Sequence, residues 1–253
     1  MLNVVVCVKR VPETGARISL TADEQSIDTA HLGFTISPHE ECAVEEAIRL
    51  VAAEGGSTAV LTLGPPAALE QLQNALAMGI ETATLLETGE GEDWDPEATA
   101  RALAAALQGR AFDLLLFGNE SADNGNYQVP VRVAHALGLP CVTGIKGIEI
   151  RDGSAVARRE TGGGWEVFEL PLPAVIAVRE GINLPRYPSL PGRLRAKKTE
   201  VERLVPERRE GGLAKVRLAL PVEAERTVEI LGEGAAAAPR VVAVLRELGL
   251  AAP

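Results

Sequence analysis

Apolar positions along the first 140 residues follow two alternating patterns. Short, nearly continuous apolar runs such as Leu2–Val8 are typical of strands buried on both faces of a parallel sheet. Between these runs, apolar residues recur every three or four positions, as on one face of a helix. The predicted strands are Leu2–Val8, Ala59–Leu63, Ala83–Leu86 and Phe112–Phe117, and the predicted helices are Pro38–Glu54, Ala67–Met78, Pro96–Leu107 and Val129–Leu137.

The first predicted helix carries clear boundary signals. Ser37 is a favoured N-cap residue, Pro38 suits the first helical position, and Glu40 has the spacing of a capping-box glutamate. Gly55 and Gly56 end the helix. Strands that alternate with helices at this spacing imply right-handed βαβ units and a doubly wound parallel sheet. Such a sheet binds ligands beyond the carboxyl ends of its strands.

The pattern changes after about residue 145. Short apolar segments at 148–150, 155–157 and 165–168 are separated by Asp152-Gly153 and by the glycines at 162–164. This arrangement predicts antiparallel hairpins, and Ala174–Val178 follows as a further strand.

The last quarter of the chain is predicted to be mostly irregular. Three prolines within Asn183–Gly192 predict an extended arm without regular structure, and Val241–Leu248 is predicted to be a C-terminal helix. We therefore divide the chain into a domain of residues 1–182 and a partner-binding segment of residues 183–253.

Charge also differs between the two parts of the chain. Residues 1–150 hold 8 basic and 21 acidic side chains, whereas residues 151–253 hold 17 basic and 14 acidic ones. Nine basic residues lie between Arg179 and Arg209, beside four acidic ones. A basic stretch in an acidic protein indicates a segment that faces a partner. A loop kept in solution by its charge is the plainer alternative.

Composition disfavours several classes of function. The net charge is −10 and aromatic residues make up 3% of the 253 residues, which argues against binding nucleic acid through phosphates or stacked bases. No apolar run reaches the roughly 18 residues that a membrane span needs, and no leader precedes the first strand. We therefore expect a cytoplasmic protein without a membrane span. The three cysteines form no metal-binding or disulfide pattern.

The polar loop at residues 118–129 is the candidate binding site. It directly follows the fourth predicted strand and directly precedes the fourth helix, where a doubly wound sheet binds a nucleotide. Its small residues allow the backbone to approach a phosphate, and amides at a helix start attract an anion. Asp123 could hold the loop's own amides or a ribose hydroxyl, and Gln128 could donate to the ligand. A structural turn rich in asparagine and aspartate is the alternative.

No catalytic apparatus is predicted. The sequence contains no phosphate-binding lysine loop, no nucleophile elbow and no zinc-protease motif. The loop carries no attacking group and no lysine that could neutralise a transferred phosphoryl group. It is therefore predicted to hold a ligand rather than to transform it, and no metal site is expected.

Six segments in the same order resemble the beta (small) subunit of electron transfer flavoprotein. The resemblance covers about residues 1–200. The segments are Val4–Val11, Ala43–Ala47, Ala75–Gly79, the loop Gly118–Val129, Leu172–Val175, and Pro185–Tyr187 with Leu190-Pro191 and Ala196–Lys198.

The resemblance implies an α/β fold with a doubly wound, mostly parallel sheet of the adenine-nucleotide-binding, Rossmann-like kind, an antiparallel hairpin extension and a C-terminal partner-binding arm. It also implies an electron carrier rather than an enzyme. The chain would be one half of an alpha/beta heterodimer whose FAD is held mainly by the alpha subunit. That heterodimer would carry electrons from flavin dehydrogenases, such as the acyl-CoA dehydrogenases of fatty acid oxidation, to a quinone reductase at the membrane.

The resemblance implies that this chain binds an AMP without a redox role. The AMP contacts carried over by position are Cys7, Ser37, Pro38, His39, Glu40, Leu63, Gly118, Asn119, Glu120, Ser121, Ala122, Asp123, Asn124, Gly125, Asn126, Tyr127, Gln128 and Val129. The resemblance also implies a recognition loop at Arg186–Lys198, with Leu190 as its anchor. The partner-binding residues are Arg186, Tyr187, Leu190, Pro191, Arg195, Lys197 and Lys198.

The sequence departs from the family pattern at several positions. Thr14 and His39 replace aromatic residues that some members place near the flavin, Ser37 replaces a frequent asparagine, and Pro130 replaces a common glycine. Some relatives bifurcate electrons and bind a second FAD in place of AMP, and Asp123–Asn126 matches their loop only in part. AMP is therefore the expectation. The alternatives are a second FAD, an ATP-binding or pyrophosphatase-type enzyme of the same fold, and a plain interaction module.

Overall fold

The computed structural model describes residues 1–208, 212–221 and 228–251 of the chain. These residues fall into two compact units, residues 1–218 and residues 219–253. The functional boundary placed after residue 182 stays a prediction.

The first unit contains eleven strands and five helices among its described residues. In chain order they are β1 Leu2–Val8, β2 Arg10–Pro12, β3 Phe34–Ile36, α1 Pro38–Glu54, β4 Gly56–Gly64, α2 Leu69–Met78, β5 Thr82–Glu87, α3 Pro96–Leu107, β6 Leu114–Gly118, α4 Val129–Leu137, β7 Cys141–Arg151, β8 Ser154–Thr161, β9 Gly164–Pro171, β10 Ala174–Val178, α5 Leu190–Ala196 and β11 Val201–Leu204. A single 3₁₀ turn, Pro66–Ala68, leads into α2.

Nine of these strands form one sheet in the order β11-β5-β4-β1-β6-β10-β7-β8-β9. The strands from β11 to β7 pair in parallel, with Cys7 opposite both Leu61 of β4 and Phe117 of β6. Strands β7, β8 and β9 pair antiparallel. The predicted parallel sheet with an antiparallel extension is therefore confirmed.

The central strands bury both of their faces. Val4 and Val6 of β1 point into a core shared with α1 and α2, whereas Cys7 points into a second core shared with α3 and α4. This alternation follows from the period of two in a strand. Helices on both faces make the sheet doubly wound, so the carboxyl ends of β4, β1, β6 and β10 form one continuous edge.

The segment after β10 corrects one prediction. Residues 183–189 are irregular, but α5 begins at Leu190, inside the stretch that was predicted to be an extended arm through Gly192. Pro191 lies in the first turn, where its missing N–H costs nothing, and the Ser189 hydroxyl accepts a hydrogen bond of 3.1 Å from the Gly192 N–H.

Close packing explains why α5 lies where it does. A Cβ on Gly192 would lie 2.3 Å from the carbonyl oxygen of Ala77 in α2, so only glycine allows this approach. Strand β11, which the apolar pattern does not reveal, then joins the edge of the sheet beside β5.

The second unit contains α6, Ala238–Glu247, where a C-terminal helix was predicted at nearly the same residues. The apolar side chains Val241, Val242, Leu245 and Leu248 are exposed on it. Among the described residues, no helix is both long and apolar enough to cross a membrane.

Candidate functional site

A cavity of about 440 Å³ opens at the carboxyl edge of the central strands. It lies between the start of α1, the loop after β6 and the turn after β10. It is lined by Thr14, Pro38, His39, Glu120, Ser121, Ala122, Asp123, Asn124, Gly125 and Glu180. Eight residues of the candidate loop and the helix start therefore meet Thr14 and Glu180 around one space.

The remaining candidate residues surround this cavity without lining it. Cys7 and Leu63 lie near the carboxyl ends of β1 and β4, and the other members are Ser37, Glu40, Gly118, Asn119, Asn126, Tyr127, Gln128 and Val129. The structure thus brings the predicted set to one edge of the sheet. The individual contacts of each residue with a ligand stay a prediction.

Ser37 joins the start of α1 to the candidate loop. It occupies the N-cap position, but its hydroxyl caps no helix amide. Instead the hydroxyl donates to the Glu120 carbonyl at 3.4 Å and accepts from the Ala122 N–H at 3.2 Å. Because Ser37 is fully buried, this pair of contacts fixes the loop against the helix.

Glu40 lies next to Gly118, at the start of the candidate loop. Its carboxylate accepts the Lys9 backbone N–H at 2.6 Å, and the side chain is buried. Burial raises the pKa of Glu40 to about 8, although the hydrogen bond and the charge of Lys9 act in the opposite direction. Burial, with a smaller contribution from the Glu40 charge, also raises the pKa of Cys7, so this thiol is no nucleophile near neutral pH.

Lys9 is a residue of the site that the sequence analysis missed. Its ammonium lies 2.6 Å from Asp123 Oδ2. Burial opposes ionisation of Asp123, but Lys9 and the hydrogen bonds from Ser121 and the Asn124 amide hold the pKa of this carboxyl below its usual value. The loop itself has no lysine, as predicted, yet the fold supplies one from the residue directly after β1.

His39 connects three segments around the cavity. Its Nδ1 accepts the Glu180 backbone N–H at 2.8 Å, and its Nε2 lies 3.3 Å from Glu120 Oε1. Tyr127 also bonds to the Glu120 carboxylate, and this bond raises the pKa of the tyrosine. Glu180 was not predicted. Its position two residues after β10, a neighbour of β6, is the signal that could have identified it.

Glycine lets the loop and helix α1 approach each other. A Cβ on Gly118 would lie 2.6 Å from Glu40 Cγ and 3.1 Å from His39 Cβ. Gly125 and Tyr127 adopt left-handed backbone conformations, with φ of 54° and 58°. At the start of α4, Gln128 Oε1 accepts from Arg132 at 3.1 Å, so the side-chain NH₂ is the group that Gln128 can offer to a ligand.

The polar groups around the cavity are suited to binding a ligand. The Lys9 ammonium and the loop amides before α4 can interact with a phosphate, and carboxylates such as Asp123 can accept from ribose hydroxyls. Among the described residues no cluster of His, Cys, Asp or Glu could hold a metal ion. The site therefore has binding groups, whereas its buried thiol is unreactive.

The predicted partner-binding segment is anchored on α1 before it reaches α5. Arg186 forms a two-pronged pair with Glu45, at 2.7 and 2.8 Å. Asn183 donates from Nδ2 to the Cys42 carbonyl and to Glu46. Arg195 donates to the Leu76 carbonyl at 3.0 Å. Arg186 and Arg195 thus have contacts within the chain, in addition to any role toward a partner.

Other members of the segment are open to solvent. Tyr187 is 95% exposed and Leu190 is 71% exposed, and Leu184 and Leu194 are exposed as well. Pro191, Lys197 and Lys198 are also exposed, and the basic residues Arg193 and Lys197 line a surface cavity together with Leu190. Arg209, the last residue of the basic stretch, lies outside the described residues.

Comparison with known proteins gives one consistent result. Residues 26–208 match the family model described as the electron transfer flavoprotein domain. An "Electron transfer flavoprotein subunit beta" of Bacillus subtilis is 34% identical over 253 residues, covering 97% of this chain and 98% of that protein. Proteins of the same name from Syntrophomonas wolfei and Mycobacterium tuberculosis are 41% and 40% identical, and each alignment covers 79% of this chain and 78% of the relative.

Proposed function

The chain belongs to the electron transfer flavoprotein family, and from this we propose that it is the beta subunit of an electron-carrying heterodimer. The alpha subunit holds most of the FAD, and this chain holds an AMP and supplies the surface on which dehydrogenases dock. Flavin dehydrogenases such as acyl-CoA dehydrogenases deliver the electrons, and a quinone reductase at the membrane accepts them. The heterodimer acts in the cytoplasm.

One observation carries this proposal. A polar cavity at the carboxyl edge of the sheet, with Lys9 beside it, occurs together with an exposed apolar and basic segment around Leu190 on the same unit. An ATP-hydrolysing enzyme of the same fold would make no use of the exposed segment around Leu190. A carrier subunit uses both features.

AMP fits the cavity as a ligand without a redox role. Lys9 and the loop amides would meet its phosphate, and Asp123 would meet the ribose. The flavin supplies the electron chemistry when it is bound to the heterodimer. Thr14 and His39, which stand where some family members have aromatic residues near the flavin, both line the cavity.

The exposed helix α6 supports the presence of a partner subunit. Val241, Val242, Leu245 and Leu248 leave an apolar surface in water that a second chain could cover. We expect co-expression with an alpha subunit to give a yellow heterodimer, and expression alone to give a colourless or poorly folded chain. A yellow monomer would contradict the assignment.

The decisive test of the cofactors is to denature the purified heterodimer and identify the nucleotides that it releases. One FAD and one AMP per heterodimer is the expected result. Two FAD and no AMP would instead support the bifurcating alternative. Hydrolysis of ATP by the isolated chain would support the enzyme alternative, and release of no nucleotide would leave only an interaction module.

The docking role is tested at Leu190. Leu190→Ala should slow reduction of the heterodimer by its dehydrogenase while the FAD content stays unchanged, because an anchor acts on complex formation and not on the flavin. Val167→Ala is the matched control, since Val167 of β9 is a similarly exposed apolar residue outside residues 183–253. Unchanged kinetics for Leu190→Ala would remove the anchor role.

A further inference from the structure

His39 lies between the two functional regions proposed above. On one side its Nε2 faces the Glu120 carboxylate of the candidate loop, at 3.3 Å. On the other side its Nδ1 accepts the Glu180 N–H, at 2.8 Å, in the turn that leaves β10. The imidazole therefore bridges the candidate loop, residues 118–129, and the residues that lead into Arg186–Lys198. We call residues 183–198 the docking segment.

The hydrogen bonds define which ring nitrogen carries the proton. Because Nδ1 accepts from a backbone N–H, the proton of the neutral ring lies on Nε2. Nε2 can then donate to Glu120. Nδ1 thus accepts from Glu180 and Nε2 donates to Glu120, and a substitution can remove one of these bonds while it keeps the other.

The turn at Glu180 continues directly into residues held along α1. Asn183 Nδ2 donates to Glu46 at 2.9 Å, and Arg186 pairs with Glu45. Ser37, at the start of the same helix, holds the nucleotide loop at Ala122. Helix α1 therefore contacts the loop at its start and the docking segment near its middle. Besides the backbone bond from the Asn119 N–H to the Val178 carbonyl, the side chain of His39 links the loop to Glu180.

We propose that His39 is a positioning residue that couples the nucleotide site to the docking segment, so that bound AMP orders residues 179–187. The inference rests on the proposed function of the site. Coupling between two binding sites is reciprocal, so docking of the dehydrogenase partner would in turn strengthen the retention of AMP.

Two variants separate the halves of the bridge. In His39→Gln the amide nitrogen can take the place of Nε2 and keep the bond to Glu120, while the acceptor for Glu180 is lost. In His39→Asn the amide oxygen can take the place of Nδ1 and keep the bond to Glu180, while Glu120 is no longer reached. His135→Gln is the control, because His135 is exposed on α4 away from these contacts.

The measurement is amide hydrogen exchange of residues 179–187 in the purified heterodimer, stripped of nucleotide and then titrated with AMP. In the wild type, saturating AMP should slow the exchange about three- to tenfold, the factor expected of one hydrogen bond of ordinary strength. His39→Gln should lose this protection, and its AMP affinity should change less than that of His39→Asn, because the bond to Glu120 is kept. His39→Asn should bind AMP about three- to tenfold more weakly. The control should behave as the wild type.

The outcomes distinguish the inference from the proposed function. If AMP binds and exchange at residues 179–187 does not change, the coupling is wrong and the proposed function stands. If AMP does not bind to the wild type at all, the proposed ligand is wrong and the coupling falls with it. Equal loss of stability in both variants, with the AMP effect on exchange preserved, would reduce His39 to a structural role.

Discussion

Glu40→Gln is the most direct test of the electrostatics of the site. The substitution keeps the size of the side chain and keeps an oxygen that can accept the Lys9 N–H, which lies 2.6 Å from the carboxylate. It removes only the ability to ionise. Any change in the pH dependence of stability therefore reports the buried carboxyl group itself.

The expected magnitude follows from the raised pKa. Burial moves the pKa of Glu40 from 4.5 to about 8, so the folded protein binds a proton that the unfolded chain has released. The contribution of the group to stability is complete below pH 4.5 and is lost as the pH rises to about 8. Each pH unit within this window costs at most ~1.4 kcal/mol, or ~2 kcal/mol between pH 6 and pH 8.

The assay is urea unfolding of the heterodimer at fixed protein concentration from pH 5 to pH 9. Stability of the wild type should fall relative to that of Glu40→Gln by ~2 kcal/mol between pH 6 and pH 8, and the difference should then level off. Glu54→Gln, at the exposed end of α1, should follow the wild type. Parallel pH profiles for the wild type and Glu40→Gln would refute the burial argument.

Three further substitutions test the packing of the site and its anchor. Gly118→Ala places a Cβ 2.6 Å from Glu40 Cγ and should lower the free energy of unfolding by ~1–3 kcal/mol. AMP retention should also fall. Wild-type retention would show that the loop can shift to accept the Cβ. Asp123→Asn removes the partner of Lys9 and should lower AMP retention several-fold, measured by nucleotide release; full retention would exclude Asp123. Arg186→Met leaves Glu45 buried without its pair and should lower the free energy of urea unfolding by ~2 kcal/mol. This loss is smaller than that for a fully buried pair because Arg186 is partly solvated. A loss below ~0.5 kcal/mol would contradict this reading.

The regular elements of the fold were predictable because local signals and tertiary packing agree on them. Ala174–Val178 is a strand with the predicted bounds, since five apolar residues between a proline and a charged residue suit a strand buried on both faces. Helix α3 begins at the predicted Pro96, where Asp95 accepts the Ala98 N–H at 2.7 Å. Such elements need no distant residue to define them.

The elements that escaped prediction depend on distant contacts. Strand β11 is only four residues long and has two adjacent charged residues between its apolar ends, so its identity comes from pairing with β5 at the sheet edge. Helix α5 is seven residues long and contains a proline and a glycine, and its position is defined by the approach of Gly192 to Ala77. A local pattern cannot report a neighbour more than 100 residues away.

The candidate site shows the same division. The loop after β6 was predictable, because a polar loop between a buried strand and a helix has a known position in a doubly wound sheet. Lys9 and Glu180 were missed because each is a single charged residue, separated from its partner in the site by more than 100 positions. Lys9 is the first residue after β1 and Glu180 the second after β10, and both strands neighbour β6. Inspection of the two residues after every central strand would have included them.

Under the proposed function, the buried polar contacts of helix α1 position the candidate loop and the docking segment. Glu40, Glu45 and Glu46 are all buried on this one helix, although carboxylates are rarely buried without a purpose. Each has a partner: Glu40 accepts from Lys9 at the nucleotide loop, whereas Glu45 and Glu46 hold Arg186 and Asn183 of the docking segment. Apolar residues would stabilise the helix at lower cost. The buried carboxylates therefore lie where α1 contacts the candidate loop, at its start, and the docking segment, in its middle.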